Sequence, residues 1–432
     1  MAMSKGKHDD ISFLGRVMLF FKGIWRKIRS LKIISGINKR QKQTAGYIGA
    51  DSPEEARLSY TFGMMKIVFV VLLCLLLLLT LIFGRGIISY ENVYYMFKDI
   101  EFINTYGESR ADQLNYSRPM ARQDVTEFKN GLAVASDSEI KLFTSTGRVT
   151  MTRGSEYSNP KLEASSSSLL VYDQGNKDFA IYNSFTELYR EKLEYPISSA
   201  DMADSGEYAI VTRSQKYTSV VRVYTNKNVL DMEYSKNDHV ISVSLSEDAK
   251  HLAVLSMSAS GGESLVNVTV VDVKRGEVRS ELTLRDVMPY TCEVLTGGRI
   301  IVLCSDHAAA YDLDLSMKGR YDYPTAPVRV ATSSGGAVMT FKSEGIASNN
   351  MIAVFDKNGI VSYTANVTGD VYDIRLEGTY VYVLTGDAVY RLDMRFGARD
   401  ITSFKNEKAR LAVFEGEVAV CTEAAAYYIT FD

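Results

Sequence analysis

The feature that most constrains this chain is a repeat. Strand-like apolar runs recur near Ala133 ("GLAVAS"), Leu170 ("SLLVYD"), Ile210 ("YAIVTR") and Ala253 ("HLAVLS"). They continue near Ile301 ("RIIVLC"), Val338 ("GAVMTF"), Tyr382 ("VYVLTG") and Ala419 ("EVAVCT"). The mean step is about 41 residues, and hairpin-like echoes follow each run by roughly ten residues. "MIAVFDKNGIVSYT" (351–364) shows the form: two β-rich runs joined by Asp356-Lys357-Asn358-Gly359, which supplies turn chemistry. "IKLFTSTGRV", "VRVYTNKNVL" and "VTVVDVKRGEV" repeat it. Two markers that keep one period define a repeat architecture.

A unit of about 40 residues with four short strands is a β-propeller blade. The fold class expected is therefore all-β, a propeller of eight four-stranded blades over 100–432, or seven if one unit is misread. The central strands of a blade lie between neighbouring sheets and should be apolar on both faces. "IIVLC" and "MIAVF" meet that demand, while "TELYREKLEYP" and "VRSELTLRD" are polar enough for outer strands. The last unit begins near Ala409 and stops at Asp432 after three strands. A ring must close or leave an open edge, so an early strand, "IEFINTYG" (Ile100–Gly107), is expected to complete it.

Ahead of the repeat stands "IVFVVLLCLLLLLTLIFG" (67–84), uncharged and bounded by Lys66 and Arg85. Eighteen residues rise about 27 Å as a helix, nearly a hydrocarbon core. With 66 residues before it and no small-residue cleavage site, it reads as a retained transmembrane helix rather than a signal peptide. Residues 1–66 hold 13 Lys and Arg against 5 Asp and Glu; with a formal total of -3, the remainder carries -11. The positive-inside rule then keeps the N-terminus in the cytoplasm and sends the body across. The stem, 85–99, contains Tyr90, Tyr94, Tyr95 and Phe97, either interfacial anchors or the apolar face of a short helix. An acidic body excludes nucleic acid as the main partner, because phosphate recognition needs clustered cations.

The basic arm contains "FLGRVMLFFKGIWRKIRSLKII" (13–34). Helical stepping places Leu14, Val17, Phe21, Ile24, Trp25, Ile28 and Leu31 in one sector and Lys22, Arg26 and Arg29 opposite, with Leu19 the exception. Such a helix suits the surface of an anionic lipid bilayer. Docking on a cytoplasmic protein, or against a helix starting at the Ser52/Glu55 capping box, is the other use of the same pattern.

Basic arm, single span and repeat body together resemble an uncharacterised family of bacterial, mainly Gram-positive, envelope proteins. Those carry a WD-repeat-like or quinoprotein-like propeller after one anchor helix. The resemblance implies fold and localisation; it carries no activity and no site residue.

Chemistry is sparse. The only tryptophan is Trp25, so the body lacks the tryptophan docking motifs of quinoproteins and the Trp-Asp pairs of WD repeats. His8, His239, His251 and His307 have no metal-ligand spacing. Asp312 and Asp314 in "YDLDLSMKG" lack the further ligands of a calcium loop and read as a solvated turn. The serines of "EASSSSLL" (163–170) read as a loop, and the tyrosines of "YDYP" and "TYVYVL" as cross-strand packing rather than a binding platform. Cys74 lies in the span, leaving Cys292, Cys304 and Cys421. Cys292 and Cys304 fall on consecutive strands, either as buried thiols or as a bridged pair. No catalytic residue, cofactor or metal site is expected. The function expected is a non-enzymatic interaction scaffold or sensor for an envelope protein, peptide or cell-wall partner. The alternative is a glycan-active hydrolase or lyase, which would need carboxylates converging in the propeller channel.

Overall fold

A computed structural model describes residues 69–72, 113–145, 147–343, 349–405, 409–414 and 417–431. The chain divides into two compact units, 1–108 and 109–432. In the first, only the exposed helical residues Phe69, Val70, Val71 and Leu72 of the expected span are described. Among the described residues no helix is long and apolar enough to cross a membrane. The expected membrane-surface helix (Leu14, Val17, Phe21, Lys22, Ile24, Trp25, Arg26, Ile28, Arg29) and the stem lie outside the described residues.

The second unit is eight four-stranded antiparallel sheets. Blades 1 to 7 span 124–154, 160–192, 199–236, 239–285, 289–322, 327–368 and 371–403; blade 8 spans 410–429. Each of the eight sequence runs is the second strand of its blade, and each hairpin echo holds the third. Burial follows strand order. Second strands such as Tyr208–Thr212 are buried at every position, whereas the outermost Glu187–Lys192 alternates half-buried and exposed.

This pattern builds one core per blade interface. Leu169 and Val171 pack with Ala133, Leu142 and Met151 of blade 1, while Leu170 and Tyr172 point the other way, to Ile210 and Tyr224 of blade 3. Period-two alternation with both faces apolar therefore pins each blade between two neighbours. Eight such cores close the ring.

Closure differs from the expectation in one respect. The strand completing blade 8 is Gln113–Asn115, paired outside Ala425–Ile429. Leu114 fixes it there: its side chain is buried against Gly147 and joins Tyr428 and Phe143 in the core between blades 8 and 1. The position that Ile100–Gly107 was expected to fill is thus taken by a segment much nearer blade 1, which reaches Asp124 through one short connection.

The recurring hairpin has a local cause. In seven blades the third strand ends in Asp272, Asp312, Asp356 or Asp393, or is followed directly by Thr144, Asn183 or Thr225. Each side-chain oxygen accepts backbone N–H groups from the turn that follows; Asp356 takes those of Asn358 and Ile360. These are Asx and Ser/Thr turns, which hold the loop before any tertiary contact forms.

Candidate functional site

Two regions of the propeller bring polar chemistry together: the central channel and the face where the innermost strands begin. The innermost strands project acidic side chains from blades 1, 2, 3, 5 and 7, namely Asp124, Glu163, Asp201, Glu293 and Asp373. Three of them clamp the next blade. Asp124 accepts the N–H of Leu162 at 3.1 Å, Asp201 that of Leu245 at 2.6 Å, and Asp373 that of Leu411 at 2.8 Å. Ser244 does the same for Val294 at 3.0 Å, and Glu293 accepts the hydroxyl of Thr332 at 3.2 Å.

Enclosure raises the proton affinity of three of these groups. Burial lifts Asp201 to about 6, against two backbone N–H groups that pull it down. Burial, then the charge of Asp201, pushes Glu293 up to about 8. Glu163 lies well above the ordinary glutamate range, first through burial and then through Asp201, Asp124 and Glu293. Proton affinity is thus raised at groups whose oxygens, in Asp201 and Glu293, also bind the next blade. Among the described residues no group of three or more His, Cys, Asp or Glu is arranged to hold a metal.

The second region is a cleft of about 470 Å³ between blades 2, 3 and 4, lined by Gln174, Ile197, Thr212, Arg213, Ser219 and His239 among others. Its walls are pinned. The Gly175 N–H donates to Ile197 O at 2.8 Å, and Ile197 N–H to Asn176 O at 2.6 Å. Thr212 Oγ1 donates to Pro196 O at 3.0 Å, and the Arg213 guanidinium lies 5.3 Å from the Tyr195 ring centroid. Beside it rises the longest hairpin, His251–Ser260 with Glu263–Asp272. The innermost strand of blade 4 pairs with it only as far as His239 opposite Met257. Residues 258–260 therefore continue past the cleft with one edge free of a partner strand. A second cleft on the same face, about 440 Å³, is lined by Pro289, Tyr290 and Pro327 to Val330.

The other sequence candidates resolve into structure. Asp312 caps its turn and meets Lys318 at 2.6 Å; Ser165 accepts the N–H groups of Ser167 and Ser168. Tyr323 packs 5.3 Å from Phe341, and Tyr382 6.4 Å from Phe431. Cys292 and Cys304 are free, buried and offset, standing opposite Val302 and Pro289. Sequence reasoning missed the channel carboxylates. Their signal is phase: Asp124, Glu163, Asp201, Glu293 and Asp373 each precede a run marker (Ala133, Leu170, Ile210, Ile301, Tyr382) by seven to nine residues.

A closed ring of eight blades with an apolar core at every junction, and with clefts on one face, places the molecule among the β-propellers. Residues 100–424 match the model of a family of unknown function, DUF5711, and the chain belongs to that family. No curated protein matches the sequence. Among solved structures the chain is similar to BamB from Moraxella catarrhalis, at 11% identity and TM-score 0.52, over 74% of this chain and 98% of that one. It is also similar to Chaetomium thermophilum Sqt1 bound to the N-terminus of ribosomal protein L10, at 13% identity and TM-score 0.52, over 71% of this chain and 95% of that one. At these identities the likeness is one of fold.

Proposed function

We propose that this protein is a membrane-anchored, extracytoplasmic scaffold whose propeller captures an extended segment of an envelope protein or peptide. One observation carries the reading: the preformed cleft between blades 2, 3 and 4, whose lining residue His239 stands opposite Met257, next to the edge of residues 258–260 that the innermost strand leaves unpaired. An open strand edge gives a peptide main-chain hydrogen bonds, and an adjacent pocket gives side-chain selectivity. Arg213 and His239 suit an acidic or carboxylate-bearing segment. Sqt1, which is similar in fold and was solved bound to the N-terminus of ribosomal protein L10, is a precedent for such a fold taking a protein segment. The uncharged run 67–84 and the basic arm support an N-terminus in the cytoplasm and a propeller outside.

The test is site-specific photocrosslinking in intact membranes. A crosslinker at Thr218, beside the cleft, is expected to give a discrete adduct that Arg213→Glu abolishes. A crosslinker at Val229, on the opposite face, is expected to give none of it. Equal adducts from both positions, or none, would refute the scaffold.

The alternative, a hydrolase or lyase, has its own observation in the raised carboxyls Glu163, Asp201 and Glu293. Asp201 and Glu293 are engaged with neighbouring blades, which favours a cohesive role for them. Release of products from cell-wall glycan by the purified chain, lost on Glu293→Gln with crosslinking intact, would establish the enzyme instead.

A further inference from the structure

The second cleft originates in a shift of the strand ladder. In blades 4, 5, 6 and 7 the innermost strand holds one residue more than its partner near its start, and Ile241, Tyr290, Val328 and Tyr372 are the residues skipped. The innermost strands of blades 1, 2, 3 and 8 pair without a shift. In blades 5 and 6 the preceding residue is Pro289 or Pro327, which has no N–H to give the ladder. A β-bulge re-aims a side chain and often borders a binding site.

Here the bulges build an apolar patch. Ser242 Oγ and Thr291 Oγ1 meet at 3.1 Å, so the skipped residues just before them, Ile241 and Tyr290, are neighbours across the junction of blades 4 and 5. Among the described innermost strands and the loops leading into them, the exposed large apolar side chains are these two and Met288, at 38%, 39% and 56%. Tyr290 and Val328 line the cleft of about 440 Å³ with Pro289, Pro327 and Val330.

One cation stands at this apolar floor. Arg329 Nη1 donates to Val328 O at 2.9 Å, and Nε to Tyr372 O, at the bulge of blade 7, at 3.1 Å. These bonds hold the guanidinium beside the cleft. The side chain is exposed, its Nη2 has no partner among the described residues, and no carboxylate lines the cleft. A planar fork held in place with N–H groups to spare suits a carboxylate.

The adjacency of cation and floor decides which carboxylate. Along an extended peptide neighbouring side chains point to opposite sides, and the next on the same side is roughly 7 Å away. An acidic side chain therefore does not reach the spot that a neighbouring apolar side chain fills. An α-carboxylate does, because one residue carries both groups. We propose that the second cleft receives the free C-terminus of a captured polypeptide, its last, bulky apolar side chain against Tyr290 and Val328 and its α-carboxylate on Arg329. The proposal rests on the capture reading of this face. The innermost strand of blade 4 leads from one cleft to the other: His239 lines the first, and Ile241, two residues on, adjoins Tyr290 of the second.

The test presents the purified full chain with arrayed peptides that carry every residue type in the last position, each as free acid and as amide. Binding is expected to concentrate in free acids ending in Leu, Ile, Met or Phe, and to weaken at least tenfold on amidation and in Arg329→Gln. Because Arg329 also joins blade 6 to blade 7, Tyr290→Asp is the second variant; it repels the carboxylate without touching that junction and is expected to lose the same peptides. Val229→Asp, on the opposite face, leaves them bound. No selection, equal binding of the amides, selection for internal acidic residues, or a dimer of this chain that Tyr290→Asp dissolves without peptide would overturn the proposal. The Thr218 adduct in membranes reads capture by itself. Its presence without terminus selection overturns this subsite alone, and its absence overturns the capture reading.

Discussion

Gly319→Ala is the sharpest test of how the blades meet. Gly319 lies on the outermost strand of blade 5, and Gly359 in the turn of blade 6 that follows Asp356. The two backbones touch. A methyl built on Gly319 would lie 2.6 Å from the Gly359 carbonyl carbon and closer still to its oxygen. The obstacles are main-chain atoms, so no rotamer change relieves them; one strand or the other must move. Overpacking of this kind costs about 1–3 kcal/mol, and the upper end applies when backbone is displaced. At about 2.1 cal/mol/K per residue, a unit of roughly 320 residues would lose about 4 °C in Tm for about 3 kcal/mol. Gly359→Ala meets Gly319 at 2.6 Å and adds the strain of φ +82°, so it should melt lower still. Gly154→Ala, at the end of the outermost strand of blade 1 with nothing within 4 Å of the new methyl, is the control. The measurement is differential scanning calorimetry of all three variants beside the parent. If Gly319→Ala melts within a degree of Gly154→Ala, the blades do not approach as described and the glycine argument fails.

Further outcomes follow from the channel and the closure. Glu293 is raised to about 8 by burial and Asp201, so between an unfolded value of about 4 and that point the folded state holds more protons. Stability should therefore fall as pH rises through this window. Glu293→Gln is expected to flatten the fall between pH 5 and 8.5, and parallel melting curves would refute the assignment. Asp373→Ala leaves the buried N–H of Leu411 without its acceptor, at about 1–3 kcal/mol, read as a lowered urea midpoint with unchanged m. Deleting residues up to 116 removes Gln113–Asn115 and bares the edge of Ala425–Ile429. Chains starting at Ser117 should melt lower and aggregate faster than chains starting at Ser109, and equal behaviour would remove that strand from the closure.

What was legible in the sequence is what local chemistry decides. The hairpin at 351–364 is visible because Asp356 organises its own turn, and Asp312 or Thr225 does the same elsewhere with the same spacing. Second strands are visible because they must be apolar on both faces, a demand that the outermost strands escape. The closing strand was misplaced because Gln113–Asn115 contributes one buried side chain, Leu114, whose site is defined by Gly147 and Tyr428, distant in sequence. The channel carboxylates were missed for a related reason. A lone Asp or Glu beside an apolar run looks like a solvated strand end, and only the ring turns Asp124, Asp201 and Asp373 into acceptors for the next blade. The same logic separates the two faces. Closure puts the turns that join third to outermost strands on one face, where the first strand also starts, and the cleft on the other.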